Sequence, residues 1–289
     1  MKKITFLTII MSIFLSIIPL KSYAATPTIA IIDTAIDSSV IPQVVYEACF
    51  TINSNCPNGS NFQEGKGSAN LDKVGWGING ADHGLQVTES ALVANKNIKI
   101  IFIRITDINK YPTFAAMHTD GDSLDNAINW VSQNALKYNI TAVSISQERH
   151  NFAKGTCPTD ELFSSSVQNL KNINVPVLVG VGNNGAKDFP GFPACVQDVV
   201  GVGAATLQLQ SYYFSNLGQG VDVMGVGRLN ITLPDGTIQP VMGTSIATPY
   251  AAALWVSKFT GTFNNQINQL SNLPKALDGY KNTYPFLLQ

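Results

Sequence analysis

The chain has 289 residues, of which 45% are hydrophobic and only 13% charged, with a formal net charge of -1. That balance supplies no basic field of the kind nucleic acid or anionic lipid selects, so neither is expected as a partner. The apolar content suffices for a large buried core.

Lys2 and Lys3 lead into a mainly apolar run from Ile4 to Ile18, then Pro19 and Ser22-Tyr23-Ala24-Ala25. A basic start, an apolar stretch and small residues at its end predict a secretory signal peptide over residues 1–25, cleaved after Ala24 or Ala25. A retained membrane anchor is the alternative, but the run is short for a bilayer span. Residues 26–289 carry no internal repeat, low-complexity tract or linker and are expected to form one domain. They also hold no run long enough to cross a membrane, so no membrane association is expected after cleavage. The predicted destination is secreted or periplasmic.

Short apolar, β-prone runs occur at Thr28 to Ile32, Ile98 to Ile105, Thr141 to Ile145, Val175 to Val181 and Val199 to Ala204. Helical spacing of Leu124, Ile128, Val131 and Ala135 predicts a helix from about Ser123 to Lys137, capped by Asp122 or Ser123. Leu162, Phe163, Val167 and Leu170 predict another, capped by Thr159 or Asp160. Asn230 to Leu233 and Thr237 to Met242 flank Pro234-Asp235-Gly236 as a hairpin, and an Ala-rich helix follows through Trp255. Strands alternating with helices at these spacings imply βαβ units. The expected fold class is α/β, a mostly parallel sheet with helices on both faces.

Four cysteines lie past the signal segment, Cys49, Cys56, Cys157 and Cys195. An even count in an exported chain predicts two disulfides, with three pairings open. The short spacing of Cys49 and Cys56 favours a local loop, which leaves Cys157 with Cys195. There is no CxxC, and His83, His118 and His150 are not ligand-spaced with the cysteines, so no metal site and no cofactor is implied.

Hydrolysis of an amide by a serine needs a nucleophile, a base, a carboxylate to orient the base and donors for the oxyanion. Asp33 follows the first strand directly, where an open α/β sheet places its ligands, although a turn or cap is the commoner role of such an Asp. His83 sits in Asp82-His83-Gly84 ahead of a helical pattern, and Ser245 stands at a helix start in Gly243-Thr244-Ser245-Ile246-Ala247-Thr248-Pro249. Helix capping alone would also explain Ser245. Gly180-Val181-Gly182-Asn183-Asn184-Gly185 fits GxGxxG, but Pro190 and Pro193 follow where a dinucleotide fingerprint needs a helix. The lipase-type GxSxG fails at Ala247.

Taken jointly, Ile31-Ile32-Asp33-Thr34, His83-Gly84 with its helix, and the serine motif, in the order Asp, His, Ser, resemble the subtilisin-like serine peptidases. Val179 to Gly185 is similar to the segment that supplies that family's oxyanion-hole asparagine, here Asn183. Phe192-Pro193-Ala194, Val199 to Ala204 and Phe214-Ser215-Asn216 continue the similarity, which spans about Thr28 to Trp255. The resemblance implies a three-layer α/β/α fold and a serine endopeptidase acting on protein or peptide substrates through an acyl-enzyme. In it Ser245 attacks, His83 moves the proton, Asp33 orients His83, and Asn183 with the Ser245 amide binds the oxyanion. The competing readings are a secreted binding protein that keeps the fold without turnover, and an esterase with the same triad.

The chain departs from the family in places. Ala35 stands where Gly is usual, which matters only if the backbone there needs positive φ or a close approach. Leu85-Gln86 replaces Thr-His, and in Ser144-Ile145-Ser146-Gln147-Glu148, similar to the family's cleft-lining segment, Gln147 and Glu148 are polar. Glu148 there would favour a basic side chain in the substrate. A propeptide of the usual size and the calcium loop inserted after the histidine helix in many relatives are both expected to be missing.

Overall fold

The computed structural model describes residues 26–110, 115–119, 121–148, 157, 160–188, 190–233, 235–279 and 282–289. The predicted signal peptide, the Thr159 cap and Pro234 of the hairpin turn lie outside them. Chain order gives strands β1 (Thr28–Asp33), β2 (Val44–Phe50) and β3 (Phe62–Glu64), then helices α1 (Lys73–Trp76) and α2 (His83–Ala94). Strands β4 (Lys99–Arg104), β5 (Thr106–Lys110) and β6 (Ala115–Thr119) precede α3 (Gly121–Asn134), β7 (Ile140–Ile145) and α4 (Glu161–Asn172). Strands β8 (Val177–Gly180), β9 (Val200–Ala205), β10 (Val223–Val226), β11 (Arg228–Thr232) and β12 (Ile238–Met242) lead to α5 (Thr244–Lys258). Helix α6 (Phe263–Gln269) and strands β13 (Lys275–Leu277) and β14 (Thr283–Pro285) complete the order.

Eight strands make one sheet in the order β10-β9-β8-β7-β1-β4-β2-β3, parallel throughout except for β3. Strand β1 is buried along its whole length, as the near-continuous apolar run of a two-sided parallel strand requires. It pairs with β4 on one side, Asp33 opposite Arg104, and with β7 on the other, Ile32 opposite Ile145. The chain thus builds outward from β1 in both directions. The crevice beyond the carboxyl ends of β1 and β7 is the switch point, where sheets of this kind bind ligands.

Helices α2 and α5 pack together on one face, and α3 with α4 on the other. Helix α5 is apolar nearly all round and lies across β7 to β10, so it is buried rather than amphipathic. Gly225 permits that approach, because a Cβ there would sit 2.4 Å from the Ala247 carbonyl. The five strands expected in the sheet all form. Strands β2, β3 and β10, the β5–β6 hairpin and the carboxyl-terminal β13–β14 pair were not anticipated. Helix α3 spans Gly121–Asn134, starting and ending earlier than its apolar spacing suggested, and Asp160 caps α4 by accepting from the Phe163 amide. Both disulfides join as expected, Cys49 to Cys56 and Cys157 to Cys195.

Candidate active site

Asp33 closes β1 with no exposed surface. Its Oδ1 accepts from the Thr34 amide and from His83 Nδ1, both at 2.7 Å, while Oδ2 has no hydrogen-bond partner among the described residues. An ionised carboxylate only accepts, so the imidazole proton sits on Nδ1 and Nε2 is left as the basic nitrogen. His83 opens α2, and the start of that helix is held by the Gly84 amide donating to Thr34 Oγ1 at 2.9 Å. Gly84 is required by space: a Cβ there would lie 2.2 Å from the Ala35 carbonyl oxygen and 2.6 Å from Phe102 Cζ. Ala35 itself is buried without a positive φ, so its methyl group is accommodated.

The His83 side chain keeps 26% of its surface exposed, facing the crevice. Burial pushes its pKa down, but the Asp33 charge and hydrogen bond, helped by Asp82, outweigh that and hold it above the usual imidazole value. Gln147 lies alongside, its amide nitrogen 3.4 Å from Nδ1.

Ser245 is the second residue of α5. Gly243, at φ 149°, turns the chain out of β12 into the helix, a conformation side-chain-bearing residues rarely adopt. The first amides of a helix lack intrahelical partners. Here the Thr244 amide donates to Asn183 Oδ1 at 2.8 Å, and the Ile246 and Ala247 amides to the Gly243 carbonyl. Among the described residues the Ser245 amide donates to none. Asn183 Oδ1 also accepts from Thr244 Oγ1 at 3.1 Å, so the side-chain oxygen is fixed, and the Nδ2 donors of this exposed residue meet no acceptor among the described residues.

Pro249 lies inside α5, four residues after Ser245, and has no amide hydrogen to give. The Ser245 carbonyl it leaves unpaired accepts from Ser146 Oγ at 2.9 Å, and Ser245 Oγ in turn donates to the Ser146 carbonyl at 3.3 Å. The hydroxyl therefore rests on the residue just beyond β7. It makes no hydrogen bond to His83 in this arrangement.

The segment carrying Asn183 is stitched down by Asn216, whose Oδ1 accepts from the Asn184 and Ala186 amides and whose Nδ2 donates to the Val181 carbonyl. No helix opens on Gly185, in keeping with the failure of the dinucleotide reading. The structure thus bonds Asp33 to His83, and ties Asn183 to the first turn of α5 beside Ser245. Ser146, Gln147 and Asn216 also belong to the site. The resemblance placed Ser146 and Gln147 in a cleft-lining segment and Asn216 in a stretch of continuing similarity, but the hydrogen bonds they make join distant segments and could not be read from spacing.

Comparison with known proteins agrees with this architecture. The fold is that of a cold adapted subtilisin-like serine proteinase of known crystal structure: TM-score 0.62, 20% sequence identity, covering 91% of this chain and 89% of that one. The subtilase family profile matches residues 24–270. Subtilisin DY of Bacillus licheniformis is 27% identical over 221 residues, 74% of this chain and 75% of its own. Subtilisin amylosacchariticus of Bacillus subtilis subsp. amylosacchariticus is 26% identical over 83% of this chain, which spans 58% of that relative's length. The chain belongs to the subtilase family of serine endopeptidases.

Proposed function

We propose that residues 26–289 are an exported endopeptidase domain that hydrolyses protein or peptide substrates through an acyl-enzyme formed on Ser245. The observation that carries the reading is the Asp33–His83 hydrogen bond, joined through the adjacent Gln147 and Ser146 to a serine whose own amide and neighbouring Asn183 Nδ2 meet no acceptor among the described residues. Ser245 Oγ leaves the Ser146 carbonyl by rotation about Cα–Cβ and gives its proton to His83 Nε2 as it attacks the substrate carbonyl carbon. Catalytic contacts of this kind are often formed only with substrate in place. The oxyanion then takes hydrogen bonds from the Ser245 amide and Asn183 Nδ2. His83, now an imidazolium stabilised by Asp33, protonates the leaving amine, and water reverses the sequence to free the acid.

Two disulfides suit an oxidising destination, and export would remove residues 1–25. Protein recovered outside the cytoplasm should begin at Ala25 or Thr26 by amino-terminal sequencing. For the chemistry, the full chain is expressed, purified with disulfides intact, and treated with a fluorophosphonate probe beside Ser245→Ala and His83→Ala variants checked for folding. Labelling of the native protein alone is expected. No labelling of the folded native protein would overturn the reading in favour of a binding protein.

A further inference from the structure

We infer that Asn79 is a site of spontaneous covalent modification, converted by attack of the Gly80 amide through a succinimide into aspartate or isoaspartate, and that the isoaspartyl form draws His83 out of place. Asn is a thermally labile residue, and the reaction is easiest before glycine, where no side chain hinders the attacking nitrogen. Three Asn-Gly pairs occur in the chain, Asn58-Gly59, Asn79-Gly80 and Asn184-Gly185, and all three asparagines are exposed. The fold separates them. An attacking amide must be free of its acceptor, yet the Gly59 amide donates to the Cys56 carbonyl at 2.8 Å and the Gly185 amide to the Phe214 carbonyl at 2.7 Å. Asn58 is tied further, its Oδ1 accepting from the Ser60 amide and hydroxyl and its Nδ2 donating to the Phe62 carbonyl. Among the described residues the Gly80 amide meets no acceptor, and the Asn79 side chain makes no hydrogen bond.

The pair forms the centre of a turn closed by the Ala81 amide donating to the Ile78 carbonyl at 3.1 Å. Gly80 stands there at φ +85°, with nothing within 4 Å of where a Cβ would be, so the Asn79 side chain has room to swing onto the nitrogen. The Gly80 nitrogen bonds to Asn79 Cγ, the Cγ–Nδ2 bond breaks, and the amide proton leaves with Nδ2 as ammonia. Water then opens the ring, giving aspartate where the Cγ–N bond is cleaved and isoaspartate where the bond from the Asn79 main-chain carbonyl is cleaved. In the second product the main chain runs through Cβ and Cγ and is one methylene longer. The turn is joined directly to the site: the Gly80 carbonyl accepts from the His83 amide at 3.1 Å, and the Ala81 carbonyl from Thr34 Oγ1 at 3.4 Å. An inserted methylene displaces both contacts and with them the start of α2. The loss of activity this brings rests on the acyl-enzyme reading above; the modification itself does not.

The test has an arm that needs no turnover. Full-chain Ser245→Ala is held folded at mildly alkaline pH beside a denatured sample, and deamidation at each pair is followed by peptide mass mapping with isoaspartyl methyltransferase labelling. In the denatured sample the three pairs should react at similar rates. In the folded protein residue 79 should lead 58 and 184 by about threefold or more, the factor that one retained amide hydrogen bond is worth. Equal rates in the folded protein, or a lead by 58 or 184, would overturn the inference. The full-chain native enzyme is then aged beside Asn79→Gln, whose longer side chain closes the ring far more slowly, and kcat/KM is measured per intact chain. Native activity should fall in step with isoaspartate at 79 while the variant keeps its own. Isoaspartate that accumulates without that loss would overturn the effect on His83. A native enzyme with no activity at any time would sink the acyl-enzyme reading alone, and the mass map would still decide the modification.

Discussion

His83 carries opposing influences whose balance is readable in a pH profile. Burial alone would lower its pKa, but Asp33 and Asp82 raise it past the ordinary value of about 6.5. Below the raised pKa the imidazole is already protonated and cannot take the serine proton. The acid limb of kcat/KM should therefore have its midpoint above 6.5; a midpoint at or below that value would contradict the Asp33–His83 coupling. The same shift stabilises the fold below the unfolded-state pKa, and the contribution fades as pH rises through the folded one. Asp33→Asn removes the raising influence, so the limb should move down while the plateau drops by about 10⁴. Asn183→Ala should lower kcat by about 10²–10³ with little change in KM, since its Nδ2 meets charge that exists only during reaction. The four residues proposed to carry the chemistry could be singled out in the sequence because each stands in a local motif. Ser146 was not, because its part follows from Pro249 depriving a carbonyl of its partner ninety-nine positions away, a link that exists only in three dimensions.

Elements place these side chains more than the side chains place themselves. His83 reaches Asp33 because α2 begins hard against the end of β1, and the Gly84 contact with the Ala35 carbonyl sets that distance. Gly84→Ala should cost about 1–3 kcal/mol in urea denaturation, since the obstructing atom is backbone, and should depress kcat/KM further by drawing His83 away from Asp33. Native stability and activity in that variant would mean that α2 can retreat without moving the site. Strands β1, β4, β7, β8 and β9 were readable as apolar runs because they are buried on both faces. Strand β2 hid because its apolar run is broken by buried Glu47, which accepts from the Gly67 and Ala69 amides and the Ser38 hydroxyl, a use of charge that apolar patterning cannot foresee. Strand β10 hid because Gly225 breaks its apolar run, although the glycine is there to admit α5.

Over the whole molecule the parallel sheet fixes where the crevice opens, and the disulfides restrain two regions beside it unequally. Cys157–Cys195 encloses a far longer loop than Cys49–Cys56, with sequence separations of 38 and 7. On the chain-entropy estimate these correspond to about 4 and about 2.5 kcal/mol of stabilisation. The longer bridge is also tied to the segment that carries Asn183, because the Cys195 amide donates to the Gly191 carbonyl and the Gly191 amide to the Val181 carbonyl. Opening it should therefore act twice. The Cys157→Ser/Cys195→Ser protein should lose more stability than Cys49→Ser/Cys56→Ser, read from the denaturant midpoint, and should also lose kcat as the segment carrying Asn183 loosens. The shorter bridge ties β2 to the loop that follows it, away from Gly191, so its removal should lower the midpoint with kcat unchanged. If both pairs of substitutions lowered stability equally and left kcat intact, the Cys157–Cys195 bridge would be a staple of the fold with no part in holding the segment that carries Asn183.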